Sequence, residues 1–395
     1  LARIVLGVSG GIAAYKSIDV LRILQARGHE VQVVMTSSAT RFVGPATFAA
    51  LSGREVGVRM FATAERPGYH HLDLIDGADA LVIAPATANT LARLAGGLAD
   101  DLLSSCYLAF AGPVVVAPAM NTRMWQHPAT QANLAVLDGR GVAIVDPESG
   151  LLADGDVGMG RLAAPAAIAD AAERAVGPGD LQGARVLITA GGTQEPMDAV
   201  RFLGNRSSGK MGFAVADAAR RRGAEVTMIT ANVALPRRRD VAYREASTAA
   251  AMHDAVLEAA SECDVLIMAA AVADYRPAGA NDGKIDKAAA DGLTLELERT
   301  DDILSEVASR SDGTLVVGFA AEHGPRGLER AREKRGRKGV EILVYNDISL
   351  EGAGFGSDDN AVTILGPGRA ETPVPLSPKA VCAERIVDAV VSARA

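Results

Sequence analysis

Arg3-Ile4-Val5-Leu6-Gly7-Val8-Ser9-Gly10-Gly11-Ile12-Ala13-Ala14-Tyr15-Lys16 opens the chain with an aliphatic run, a Ser-Gly-Gly turn and the start of an Ala-rich stretch. An aliphatic run without polar alternation reads as a parallel strand buried on both faces. Glycines directly after such a strand let backbone N–H groups approach an anion at a helix N-terminus. The same phrase, a short aliphatic run followed by a longer Ala, Leu and Arg-rich stretch, recurs along the chain. Strands are expected over 3–8, 31–35, 80–84, 113–117 and 142–145, and after a fresh start over 185–189, 226–230, 265–269, 315–319, 340–345 and 362–365. Strands alternating with crossover helices predict an α/β protein of two doubly wound, three-layer domains.

Gly177-Pro178-Gly179-Asp180 separates an Ala-rich helix from the next strand, so residues 1–176 and 183–395 are expected as domains, with 177–182 as linker. Arg27-Gly28-His29-Glu30-Val31 is echoed by Arg222-Gly223-Ala224-Glu225-Val226, each a helix end, a glycine stop and a strand. Convergence of two doubly wound sheets on such phrases is the favoured reading of the echo over duplication. The 395 residues carry 40 Lys plus Arg against 48 Asp plus Glu, net −8, with no long basic block, which argues against nucleic acid as a partner. The three cysteines form no CxxC, giving no support to a disulfide framework or a metal site. The longest apolar run, 106–120, is broken by Gly112, Pro113 and Pro118, so no membrane span is expected. A strand so close to Leu1 leaves no room for a signal peptide, and the expected location is the cytoplasm.

The first glycine loop does not fit GxGxxG, and the second strand ends Met35-Thr36-Ser37-Ser38 without an acid to bind a ribose diol. NAD is therefore disfavoured, and a mononucleotide such as FMN fits better. In the second half, Gly204-Asn205-Arg206-Ser207-Ser208-Gly209-Lys210-Met211 satisfies GxxxxGK but has Met where a P-loop needs a hydroxyl for Mg2+, and no expected strand leads directly into it. Ala190-Gly191-Gly192-Thr193-Gln194-Glu195, which does follow a strand, is the better phosphate loop.

Longer phrases carry more. In the first half they are Ser9 to Lys16, His71-Leu72-Asp73-Leu74, Ala84-Pro85-Ala86-Thr87-Ala88-Asn89-Thr90 and Pro118-Ala119-Met120-Asn121-Thr122-Arg123-Met124-Trp125. In the second half they are Asn205 to Gly212, Ala270-Ala271-Val272-Ala273-Asp274-Tyr275, Gly318-Phe319-Ala320-Ala321-Glu322 and Asn346-Asp347. In this order the sequence resembles the bacterial bifunctional enzymes of coenzyme A biosynthesis, phosphopantothenoylcysteine decarboxylase fused to phosphopantothenate-cysteine ligase. The resemblance implies a flavodoxin-like, flavin-binding N-terminal domain and a Rossmann-like C-terminal ligase domain. It further implies CTP-dependent ligation of 4'-phosphopantothenate to L-cysteine through an acyl cytidylate, then FMN-dependent decarboxylation to 4'-phosphopantetheine.

By resemblance, Ser9, Gly10, Gly11, Ser37, Thr87, Asn89 and Thr90 hold FMN, His71 is the base, and Asn121 holds the substrate carboxylate. His71 has a near-neutral reference pKa, and the Asn121 amide both donates and accepts. Met268, Ala269, Ala270, Asp274, Lys284, Asp301, Asp302, Ile303, Leu304, Phe319, Lys334 and Lys338 align with the CTP site, and Asn205 with the residue that turns over the acyl cytidylate. The competing reading of Lys334 and Lys338 is a solvated helix face, since Arg330 to Lys338 is rich in charge. Mg2+ is implied with the triphosphate, its ligands unread. Asp154 stands where relatives usually have a cysteine that gives a proton to the enethiolate; Asp154 is expected to replace it, or else water supplies the proton. Gly150, Gly155, Gly158 and Gly160 suggest a closing flap around it. The resemblance also implies a homo-oligomer, decarboxylase trimers joined through ligase dimers into a dodecamer. A flavin-binding regulatory subunit without decarboxylase activity is the alternative, and a flavin prenyltransferase would resemble only the first half.

Overall fold

The computed structural model describes residues 1–61, 70–152, 155–238, 240–279, 283–285, 293–310, 313–350, 352–354 and 356–394. Two compact units emerge, Leu1–Gly177 and Pro178–Ala395.

In the first unit, β1 (Arg3–Val8), β2 (Glu30–Met35), β3 (Ala80–Ala86), β4 (Val114–Pro118) and β5 (Ala143–Ile144) form a parallel sheet of order β2-β1-β3-β4-β5. That is the flavodoxin-like order. Alternate residues face two separate cores: Ile4, Leu6 and Val8 pack with the helices Ser17–Ala26 and Pro165–Val176, while Val5, Leu81 and Ile83 pack with Ala88–Gly96 and Leu102–Ala109. Burying each such side chain contributes about 1.5–3 kcal/mol, so both faces hold the sheet in place. A hairpin of β6 (Glu148–Leu151) and β7 (Val157–Arg161) follows.

The second unit holds β8 (Arg185–Gly191), the hairpin β9 (Gln194–Pro196) and β10 (Phe202–Gly204), then β11 (Glu225–Ala231), β12 (Ala242–Glu245) and β13 (Val265–Met268). Next come the hairpin β14 (Tyr275–Pro277) and β15 (Leu297–Arg299), then β16 (Leu315–Glu322), β17 (Ile342–Asp347), β18 (Asp359–Leu365) and β19 (Glu371–Pro378). The large sheet runs β12-β11-β8-β13-β16-β17-β18-β19, parallel through β17 and antiparallel beyond. Its parallel part is the Rossmann order. Helices Lys210–Arg221 and Lys379–Arg394 cover one face; Ala249–Ala260, Ile303–Arg310 and Gly327–Lys338 cover the other.

All eleven expected strands are present, several shifted by one or two residues. The hairpins, β12 and β19 are additions. β19 carries Pro373, Pro375 and Pro378, which an edge strand tolerates because one side needs no ladder donors. β10 corrects one expectation, since a short strand does lead into Gly204 to Lys210. Lys210 nevertheless opens a helix with its ammonium turned to Gly356 O (2.9 Å) and Asp358 Oδ1 (2.7 Å), tying down the 356–358 segment.

Candidate functional site

In a doubly wound sheet, ligands bind beyond the strand C-termini where the order reverses, here between β1 and β3 and between β8 and β13. At the first crevice the buried Ser9 hydroxyl donates to Pro85 O (2.7 Å) and accepts from Thr87 N (3.1 Å), stitching the loop after β1 to the loop after β3. Thr87 in turn caps the helix Ala88–Gly96 by accepting from Thr90 N. Any side chain at Gly10 would strike Ser38, whose carbonyl carbon lies 2.7 Å from an added Cβ, so the glycine loop lies directly against the end of β2. The Gly10 and Gly11 N–H groups donate to no described residue. Loop, cap and free donors form a cradle that suits the phosphorylated end of a flavin mononucleotide.

Beside this loop lies a cavity of about 700 Å³. Gly11, Ile12, Tyr15 and Lys16 line it from the first loop, Pro85 and Thr87 from the second, Met120, Asn121 and Met124 from the end of β4, and Leu151, Leu152, Gly160 and Arg161 from the hairpin. Of the expected residues, Gly11, Thr87 and Asn121 line the cavity; Ser9 and Gly10 support its loop; Ser37 and Asn89 are exposed nearby and Thr90 is buried. His71 does not line it. Its helix, His70–Ile75, packs on the face carrying Leu102–Ala109, where Cys106 Sγ donates to His71 O at 3.5 Å, and burial pushes the Cys106 thiol up to about 12. Asp154 lies outside the described residues. Two of the four glycines expected as flap hinges are instead close-packed: an added Cβ at Gly160 would fall 2.1 Å from Met120 O, and one at Gly158 2.4 Å from Thr122 Oγ1, whereas Gly155, at φ +89°, has open space around it. Gly158 and Gly160 let the hairpin lie against the Asn121 turn, and Met120 N donates to Gly160 O at 2.9 Å across that contact.

The second crevice is built similarly. Thr189 Oγ1 and Thr193 Oγ1 accept from Ala270 N (3.0 Å) and Ala273 N (2.9 Å), and Asn205 Nδ2 donates to Ala271 O and Val272 O, each at 3.2 Å. Asn232, at φ +52°, donates to Gly192 O and Ser247 O and was not anticipated. A cavity of about 580 Å³ here brings together Met268, Ala270, Asp274, Asp301, Asp302, Ile303, Leu304, Phe319, Lys334 and Lys338. Val272, Tyr275, Arg299 and Thr300 complete the wall; Tyr275 and Arg299 arrive on the β14–β15 hairpin, whose pairing no local pattern announces. Ala269, Asn205 and Lys284 are not in this wall. Lys338 pairs with Asp302, which also accepts from Ser305 N (3.1 Å) at the start of the helix Ile303–Arg310. Burial raises the Asp302 acid, but the bonds from Lys338 and Ser305 outweigh it and hold it below the usual carboxylate range. Lys334 and Lys338 are thus cavity residues rather than a solvated face. Among the described residues, no group of three or more His, Cys, Asp or Glu is placed to hold a metal.

Residues 2–177 match the Flavoprotein family model, and residues 181–393 match the DNA/pantothenate metabolism flavoprotein C-terminal domain. The coenzyme A biosynthesis bifunctional protein of Mycobacterium tuberculosis is 46% identical over 407 residues, covering 99% of this chain and 96% of that one. The chain belongs to the family of coenzyme A biosynthesis bifunctional proteins. It is a flavoprotein-family enzyme of coenzyme A biosynthesis. The Escherichia coli member is 43% identical over 394 residues, covering 99% of this chain and 97% of its own. A crystal structure of the C-terminal domain of a family member shares 36% identity, covers 54% of this chain and 97% of that one, and superposes with a TM-score of 0.47. No helix among the described residues is long and apolar enough to cross a membrane.

Proposed function

We propose that the second unit joins 4'-phosphopantothenate to L-cysteine with CTP and that the first decarboxylates the product to 4'-phosphopantetheine with FMN. The observation that carries this reading is that each unit presents its own cavity at its own switch point, one rimmed by Asn121, the other by Asp302, Phe319, Lys334 and Lys338. In the ligase unit an acid must be activated before an amine can attack it. Lys334, Lys338 and Lys284 supply local positive charge that an acidic chain otherwise lacks, and Mg2+ enters with the triphosphate, which supplies most of its ligands. Asn205, held over the 271–272 backbone, serves the turnover of the acyl cytidylate.

In the decarboxylase unit, bound FMN would supply the oxidation that turns the cysteine CH2–SH into an electron sink for loss of CO2 and, once reduced, would give the hydride back so that the overall reaction is redox-neutral. Asn121 orients the carboxylate as a neutral partner. His71 is the base and reaches the cavity of another copy in the homo-oligomer, since it does not line its own. Asp154 returns the proton to the enethiolate. The protein acts in the cytoplasm.

The purified protein, given 4'-phosphopantothenate, cysteine, CTP, Mg2+ and FMN, is expected to release pyrophosphate and CO2 and to form 4'-phosphopantetheine, with ATP replacing CTP poorly. Equal pyrophosphate release with ATP overturns the CTP assignment. His71→Asn and Asn121→Ala are each expected to abolish CO2 release, and mixing the two variants under subunit exchange to restore part of it; no restoration places His71 and Asn121 in the same protomer's site. Asp154→Asn should release CO2 yet accumulate the enethiol, whereas normal 4'-phosphopantetheine formation assigns the proton elsewhere.

A further inference from the structure

Three cations stand in the wall of the second unit's cavity: Arg299, Lys334 and Lys338. The two lysines share one face of the helix Gly327–Lys338, and Lys338 pairs with Asp302. Arg299 arrives separately, on β15. In the β14–β15 hairpin Arg276 Nε donates to Glu298 Oε1 at 2.7 Å, and Tyr275 lies opposite Arg299. Successive strand residues point to opposite faces, so the Arg276–Glu298 pair occupies the face away from the cavity and leaves Arg299 with no acid on its own hairpin. Asp274 and Asp301 share the wall, yet the Arg299 guanidinium forms no hydrogen bond or ion pair among the described residues.

The hairpin is anchored beside Asn205. Thr300 N donates to Asp274 O at 3.1 Å and Thr300 Oγ1 to Ala273 O at 2.5 Å, next to the Ala271 and Val272 carbonyls that accept from Asn205 Nδ2. Arg299 and Asn205 therefore border one short stretch, 271–274, whereas Lys334 and Lys338 stand on the helix that joins β16 to β17, on the Phe319 side.

We infer that Arg299 is the subsite for the carboxylate of the amine substrate, L-cysteine, and so selects an amine that bears a carboxylate over one that does not. This rests on the ligase reading above. That reading brings several anions to the unit, and their chemistry separates them. The triphosphate has the loop of Gly191 and Gly192 and the two helix lysines. The phosphate of 4'-phosphopantothenate lies at the far end of that molecule from the reacting acid. The acid's own carboxylate gives up its charge on activation, so an ion pair to it would stabilise the ground state and slow that step. The cysteine carboxylate keeps its charge from binding through amide formation, so a cation there adds affinity without opposing either step. A guanidinium takes a carboxylate through two parallel N–H donors, which also fixes the direction of the attached amine beside Asn205.

The test compares wild type, Arg299→Gln and Arg299→Lys as full-length protein with CTP, Mg2+ and 4'-phosphopantothenate. Pyrophosphate release is followed with L-cysteine, with cysteamine, which is cysteine without its carboxylate, and with no amine, where a single-turnover burst reports activation alone. Wild type should favour L-cysteine over cysteamine in kcat/KM. Arg299→Gln should cut that preference by about 10- to 100-fold, the range for losing one charge-assisted bond, through KM for L-cysteine, while cysteamine turnover and the burst persist. Arg299→Lys should restore part of the preference, as a cation without the bidentate fork. An unchanged preference in Arg299→Gln overturns the assignment. So does a lost burst, or an equal loss with both amines, which gives Arg299 to the nucleotide or to the acid. No pyrophosphate release from wild type under any of these conditions refutes the ligase reading itself, whereas saturation-transfer NMR of L-cysteine against cysteamine on the same proteins still reports whether Arg299 discriminates the carboxylate.

Discussion

Asp198 shows how much one side chain organises. Its buried carboxylate accepts from Val200 N (2.7 Å), Arg201 N (2.6 Å) and Ile285 N (3.1 Å), joining the β9–β10 hairpin to the residue after Lys284. The Val200 bond foremost, against the opposing effect of burial, holds the acid below the usual carboxylate range. A folded pKa below the unfolded one means the stabilisation is complete above about pH 4 and is lost as pH falls through the depressed value. Asp198→Asn puts an NH2 opposite a backbone donor, so its urea midpoint should fall at pH 7 and converge on wild type in acid. CTP affinity should fall with it if Ile285 fixes Lys284; unchanged affinity would separate the two segments. At Gly160, with φ of +140° and Met120 O where a Cβ would sit, alanine must move the hairpin. Gly160→Ala is expected to cost about 1–3 kcal/mol in the first unit and to cut decarboxylation at least tenfold while ligation persists. Equal loss of both activities would indicate general misfolding instead.

Among elements, the helices Ala249–Ala260 and Ile303–Arg310 are bridged by His253 Nε2 and Glu306 Oε2 at 2.9 Å. Glu306, then Asp254 3.1 Å from Nδ1, raise the His253 pKa; burial opposes them and Asp301 adds a smaller push, while Arg310 pairs with Glu306. A raised histidine stabilises fully below about pH 6.5 and loses that contribution as pH rises through the raised value; Glu306, held low chiefly by His253, loses its own as pH falls below about 4.5. His253→Gln should therefore lower the second unit's thermal midpoint by about 2–4 °C at pH 5.5 and far less at pH 9. Similar shifts at both would show packing rather than charge. Such bridges are invisible in the sequence because 53 positions separate the partners. The parallel strands were legible, since burial on both faces leaves an aliphatic signature; the β14–β15 hairpin was not, because Tyr275 and Arg299 meet across a long connection. Motif phrases located Asn121 and Phe319 in cavity walls, but a phrase carries no distance, and His71 sits away from the wall its phrase suggests.

At the scale of the whole molecule, each unit has its own sheet and its own pair of cores, Leu1–Gly177 and Pro178–Ala395. A ligand that binds only the folded form of one unit stabilises that unit by mass action, about 2.7 kcal/mol at a hundred times its Kd. For units of this size each kcal/mol moves the midpoint by about 2–4 °C, so saturation should raise one transition by roughly 5–10 °C. FMN is expected to raise the transition assigned to the first unit and CTP with Mg2+ that of the second, followed by calorimetry on the full chain. Asp198→Asn marks which transition is which, because it weakens only the second. If both ligands moved a single coincident transition, the units would fold as one cooperative body, and the assignment of one chemistry to each would lose its thermodynamic support.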